Sequence, residues 1–162
     1  MVDYPKSIRH QMLIKLEELM STIVVGEPVE QPYELAFSKV TREPVDNLAV
    51  GQRSVLGIYA GTEQKNERAF TVKDCTLDLV FEAHVRKDTG EKIADLLEVM
   101  AMQIERRLME DTTLGDLIID INVTGSDPDI DGQYKNQAMI AVYATAVYEH
   151  HRDNPALERG DE

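Results

Sequence analysis

Hydrophobic and polar positions along the chain repeat with two periods, and the switches between them predict its elements. From Lys6 to about Ile23, apolar residues recur at Ile8, Met12, Leu16, Leu19 and Ile23. Steps of three and four place them on one face of an amphipathic helix. Asp3 or Ser7 can cap its start, Pro5 suits the first turn, and Gly26 with Pro28 stops any continuation. Tyr33, Leu35 and Phe37 then alternate with Glu34, Ala36 and Ser38, which predicts a strand up to about Thr41. REPVDNLAVGQ interrupts with proline, asparagine and glycine, and Arg53–Ala60 predicts a second strand.

The clearest alternation is CTLDLVFEAHVR. Leu77, Leu79, Phe81, Ala83 and Val85 point one way, while Thr76, Asp78, Glu82, His84 and Arg86 point the other. Phe70 and Val72 are out of phase with that set, which predicts a bulge near Lys73–Asp74 or a change of partner. Pairing with Arg53–Ala60 would run through GTEQKNER, Gly61 to Arg68, a polar segment without an apolar anchor that is expected to protrude as a hairpin tip.

A second helix is predicted from Asp88 or Thr89 to near Glu110. Asp88 and Glu91 have capping-box spacing, and Ile93, Leu96, Leu97, Met100, Ile104 and Leu108 share one face. TLGDL turns the chain into a strand over Ile118–Thr124, and a last strand runs from about Gln137 to Glu149. The order α-β-β-β-α-β-β predicts one α+β domain over residues 1–150, a mainly antiparallel sheet with two helices packed on one face. RDNPALERGDE is polar and proline-interrupted, so residues 151–162 are expected to form a mobile tail.

The last strand, QAMIAVYATAVYE, is apolar on both faces: Ala138, Ile140, Val142, Ala144 and Ala146 on one, Met139, Tyr143 and Val147 on the other. Two arrangements keep water from both. Helices can cover the strand on each side, or helices can cover one side and another subunit the other. In the second arrangement Met139, Tyr143 and Val147 are candidate subunit-interface residues.

Composition narrows the function. A chain of 162 residues suits one domain with its own core. Seventeen Lys and Arg against 30 Asp and Glu give a formal charge of −13, which repels nucleic-acid phosphate. Cys75 is the single cysteine, so no internal disulfide can form; its place in an alternating apolar run fits a buried small hydrophobe. Neither a signal-peptide run nor a stretch of roughly 20 apolar residues is visible, so the chain reads as soluble, intracellular and without membrane contact.

Ser126–Ala138, SDPDIDGQYKNQA, poses the one sharp chemical question. Asp127, Asp129, Asp131 and Gly132 match the first half of a calcium loop, but the bidentate acid required at position 12 is replaced by Ala138, and both flanks read as strands. The match fails at its second half, and the stretch reads as an Asp-rich solvated hairpin, because Asp accepts local backbone bonds and glycine supplies positive φ. Glu82 and His84 share a strand face and could form an acid–base pair, yet no nucleophile accompanies them. Four histidines and one cysteine make a zinc site improbable, and no glycine-rich phosphate loop opens a helix. The sequence therefore predicts no catalytic residue, no metal and no cofactor.

In its organisation the chain resembles the tail terminator proteins of long-tailed bacteriophages, small α+β chains that close the head-proximal end of the tail tube. The resemblance covers most of Ile8–Glu149. It rests on the opening helix, the long hairpin, the helix of IADLLEVMAMQIERRLM, the turn TLGDLIIDINVTGSD and the tyrosine-containing closing strand YKNQAMIAVYATAVYE. The segment Val25–Tyr33 and the tail after Glu149 depart from compact members of that family, and similar architectures occur in tail-tube and neck proteins. The resemblance implies a structural virion protein, made in the host cytoplasm, forming a ring that is usually a hexamer. Its partners would be the tail-tube protein, a neck or head-completion protein and, in contractile tails, the sheath, with DNA passing through unbound. On this reading Gly61, Glu63, Lys65, Glu67 and Arg68, with Asp127, Asp129 and Asp131, are candidate docking-loop residues. Asp78, Glu82 and Asp120 form a candidate acidic stripe on the channel or surface. The remote alternative is a small acidic metal-binding module or enzyme.

Overall fold

The computed structural model describes residues 6–45, 48, 52–129 and 136–156. Seven elements follow the predicted order: α1 (Ile8–Ser21), β1 (Lys39–Thr41), β2 (Ser54–Ala69), β3 (Val72–Arg86), α2 (Ile93–Glu110), β4 (Asp120–Asp129) and β5 (Gln137–His151). They build one α+β unit around a five-stranded sheet of order β1-β2-β3-β5-β4. Only β1 runs parallel to its neighbour; β2–β3, β3–β5 and β4–β5 are antiparallel.

Both helices cover one face of that sheet, and the core lies between the two layers. Leu77, Leu79, Phe81 and Ala83 stand opposite Ala146, Ala144, Val142 and Ile140 across the β3–β5 ladder. They pack with Met12 and Leu16 of α1 and Leu97, Met100 and Ile104 of α2, all essentially inaccessible to water. Small alanines on β5 opposite large residues on β3 let the layers interdigitate. Ser7 caps α1, its hydroxyl accepting from the N–H of His10 at 3.1 Å; Asp3 and Pro5 lie outside the described residues.

Four expectations change. The strand predicted from Tyr33 shrinks to Lys39–Thr41, because side chains satisfy the preceding backbone. Gln103 of α2 accepts from the N–H groups of Glu34 and Leu35 and donates to the Leu35 carbonyl, while Ser54 donates to the Ala36 carbonyl. Buried backbone groups need partners, but a ladder is only one source of them.

GTEQKNER is not a protruding tip. Gly61–Arg68 is the second half of β2, paired with β3 as far as Glu67↔Lys73, and the chain reverses at Phe70–Thr71 instead. The bulge expected near Lys73 is present on the partner strand, where β2 advances two residues from Glu67 to Ala69 while β3 advances one from Lys73 to Val72, and a second lies further along the hairpin. β3 pairs with β5 without a shift, whereas β2 advances three residues from Ala60 to Glu63 while β3 advances two. Phe70 leaves the alternation because it sits in the turn, 86% exposed, with the Arg152 guanidinium 5.7 Å from its ring centre.

The capping box also forms elsewhere than predicted. Asp88 N–H donates to Glu91 at 2.7 Å, as in such a box, but α2 starts at Ile93 with no side-chain cap. The Asp88–Glu91 turn instead holds Arg53, whose guanidinium donates to both Glu91 oxygens at 2.6 Å and lies 3.5 Å from Asp88. Lastly, β4 continues to Asp129, so Ser126–Asp129 is strand paired with β5 and not part of a turn; Asp131, Gly132 and Gln133 lie outside the described residues. In the described part of the predicted tail, residues 151–156 carry main-chain bonds. Arg152 N–H donates to the Thr71 carbonyl, and Ile8 N–H donates to the Pro155 carbonyl.

Candidate interaction surface

Strand alternation sends every second residue of β2, β3, β5 and β4 to the face away from the helices, and the register sorts them into rows. Tyr59, Val80, Tyr143 and Gly125 form one row; Gly57, Glu82, Ala141 and Asp127 form the next. On the other side of the tyrosine row come Asp78, Thr145 and Asn122, and then Thr76, Val147 and Asp120; Val55, His84, Met139 and Asp129 lie beyond Ala141. Among the described residues no helix covers these rows, so their burial comes from neighbours within the face and from the segment after β1.

Met139, Tyr143 and Val147 all lie on this open face, as predicted. Tyr143 is 39% exposed, and Met139 and Val147 are half-buried. Asp78, Glu82 and Asp120 lie on it too, so the candidate interface and the candidate acidic stripe are interleaved. Glu82 is tied to His84, Oε1 to Nε2 at 3.0 Å, the strand pair predicted from sequence. Asp78 and Asp120 carry no ion pair among the described residues. Val80 and Tyr59 belong to the same apolar row and were not singled out from sequence, although Val80 sits between Asp78 and Glu82 in the alternation. Tyr59 lies back across Gly57, where a Cβ would come within 2.2 Å of the phenol oxygen. Its hydroxyl donates to the Glu43 carbonyl and accepts from Val45 N–H, each at 3.2 Å. Glycine at position 57 is what lets the ring lie flat there.

The predicted docking-loop residues divide by face. Glu63, Lys65 and Glu67 point to the helix side. Tyr148 donates to Glu63, Lys65 Nζ lies 3.4 Å from Glu63 and 3.0 Å from His150 Nε2, and Arg9 of α1 is 3.7 Å from Glu63. Because ammonium has only protons to give, His150 Nε2 accepts, and His150 Nδ1 donates to the His151 carbonyl at 2.6 Å. Burial together with the Glu63 bond pushes the Tyr148 phenol well above its ordinary range; burial likewise pushes the Cys75 thiol up. These groups fasten the far half of the hairpin to α1 and to the end of β5. Arg68 turns to the open side and donates to buried Glu149 at 2.7 Å. Sequence reasoning missed Tyr148 and His150, although they continue the inward alternation of β5 beyond Ala146.

Asp127 and Asp129 sit two residues apart on an extended strand, opposite Ala141 and Met139. Strand geometry keeps their Cα atoms about 6.5–7 Å apart and their side chains side by side, whereas a calcium loop curls its acids onto one point. Among the described residues no three His, Cys, Asp or Glu side chains gather where a metal ion could sit, and no helix is long and apolar enough to cross a membrane.

No protein-family model matches the chain, and no curated protein matches it either. What the arrangement offers chemically is surface: a two-ringed apolar row, Tyr59, Val80 and Tyr143, bordered by carboxylates.

Proposed function

We propose that the chain is a structural virion protein that forms a ring, expected to be a hexamer, on the head-proximal end of a long-tailed phage tail tube. There it stops tube polymerisation and presents a surface to the neck. The observation that supports this most is the sheet face that no described helix covers, on which Tyr143 is exposed beside Val80 and Tyr59, with Met139 and Val147 two rows away on either side. An apolar row of this kind on a chain otherwise rich in charge calls for a protein partner. A ring supplies one through a heterologous contact, in which a patch on each copy meets a different patch on the next.

Asp78, Glu82 and Asp120 border the row and favour a partner surface with polar or cationic edges over a purely apolar one. A net charge of −13 lets DNA pass such a ring without adhering. The element order agrees with the resemblance to tail terminators, and the same order serves tube and neck rings, which differ in whether rings stack. Electron microscopy of the purified chain, alone and mixed with tail tubes, separates them. A terminator gives short closed rings alone and one ring at a tube end in the mixture; long tubes grown from this chain alone would make it a tube subunit.

A further inference from the structure

Beside the free edge of β4, on the helix side of the sheet, lies a groove of about 470 Å³. Val123 and Val142 of the sheet and Ala101 of α2 line it, with Met102, 55% exposed, on its wall. Glu98 and Glu105 stand on its rim, two helical turns or about 10 Å apart, and neither has an ion pair among the described residues. β4 pairs with β5 on one side only, so its outer N–H and C=O groups are unpaired by any described strand.

The two halves of that edge differ. Asp127, Pro128 and Asp129 carry the charges and the proline with which proteins protect a sheet edge. Val123–Ser126, alongside the groove, carries no charge. At Thr124 a bulge lets β4 advance two residues while β5 advances one, and the Thr124 hydroxyl donates to the Tyr143 carbonyl at 3.4 Å. Bulges bend an edge locally, here beside the groove and Met102.

We infer that this edge and groove bind an extended, basic segment of another protein, which adds to β4 as a sixth strand. Main-chain bonds to Val123–Ser126 supply the affinity, as in other strand additions. Alternate side chains of the guest face the groove: an apolar one rests on Met102, Val123 and Ala101, and lysines or arginines on either side reach Glu98 and Glu105. The acidic rim selects the charge of the guest, and the period of two selects an extended conformation over a helix. The inference is independent of the ring reading, because the groove lies on the opposite side of the sheet from Tyr143.

The test uses the full chain and a seven-residue peptide in which lysine, valine and lysine occupy successive alternate positions with threonine at the positions between and at both ends, in buffer of physiological ionic strength. Hydrogen exchange should show the Val123–Ser126 amides slowed by the peptide, and Glu98→Lys with Glu105→Lys should weaken binding at least tenfold. Two peptides of the same sequence, each N-methylated at one of the two sets of alternate residues, differ in which strand edge keeps its N–H groups; the one methylated on the edge facing β4 cannot complete the ladder and should bind at least tenfold more weakly. Equal binding to the double variant, or equal binding of both methylated peptides, would reduce the effect to attraction between a cation and an acidic protein and overturn the inference. Protection of the same amides that rises with protein concentration when no peptide is present would give the edge to a second copy, and so overturn it as well.

Discussion

Tyr143 and Tyr148 stand five residues apart on β5 and face opposite sides of the sheet. Tyr148 is 1% exposed and donates to Glu63 beneath α1; Tyr143 is 39% exposed in a row of apolar neighbours with no helix above it. The strand is equally apolar on both sides, so local sequence does not decide which face is sealed. The decision lies in α1 and α2, whose apolar stripes can each cover one layer and which both lie on the same side. One face thereby becomes protomer core, and the other stays open.

The largest effects should come from placing a charge on each face. Val142→Arg, at a position 1% exposed among α2 and β3 side chains, buries an unpaired guanidinium. It should cost about 4 kcal/mol or more, enough to unfold a marginally stable domain. Tyr143→Arg, one residue away, should leave the melting temperature within a few degrees of wild type. Circular dichroism melts of the two variants check this, and equal loss in both would mean that the faces are equally buried.

Truncation sharpens the contrast at smaller scale. Phe81→Ala opens a cavity in the sealed layer and should cost about 3–5 kcal/mol in denaturant titrations. Val80→Ala on the open face should cost under about 1 kcal/mol. Between the two lies Tyr148→Phe, which deletes a buried hydroxyl that donates to a carboxylate and should cost about 1–3 kcal/mol.

Tyr148 also sets a pH dependence. Its phenol is raised, first by burial and then by Glu63, and the Tyr33 phenol is raised by burial and by Glu110. A folded chain that holds these protons longer than the unfolded chain keeps the whole of their stabilisation below the ordinary tyrosine value near 10, and loses it progressively as pH rises above that. Stability should therefore fall above about pH 10, and less steeply in Tyr148→Phe. A wild-type stability flat from pH 9 to 11 would contradict the buried phenol. The smallest expected effect is that of calcium, which should leave the melting temperature unchanged. Occupancy at a hundred times its dissociation constant would add about 2.7 kcal/mol, and a rise that disappears in Asp129→Ala would restore a metal-loop reading.

Periodicity carried most of the fold. The helical stripe of Leu96, Leu97, Met100, Ile104 and Leu108 and the strict alternation through Phe81 are strong because burial acts on every residue of the face. The misplaced pieces are those held by single long-range side chains. Gln103 reaches 68 residues back to hold Leu35 off any ladder, and Arg53 takes Glu91 away from a helix cap. Neither contact leaves a local signature. Polar Gly61–Arg68 reads as a tip because its inward residues are Glu63 and Lys65, whose partners Tyr148 and His150 lie 85 residues away. The open face was legible as a face, through Met139, Tyr143 and Val147, but its tyrosine row was not, since register between strands is fixed only by the assembled sheet.

The central claim is that the open face joins copies into a closed ring while the covered face only holds the protomer together. Native mass measurement of wild type beside Tyr143→Arg tests it most directly. The account predicts one closed species, near six times the 18.3 kDa protomer, for wild type, and a folded monomer for Tyr143→Arg. A folded Tyr143→Arg chain that still gives the wild-type mass would remove this face from assembly.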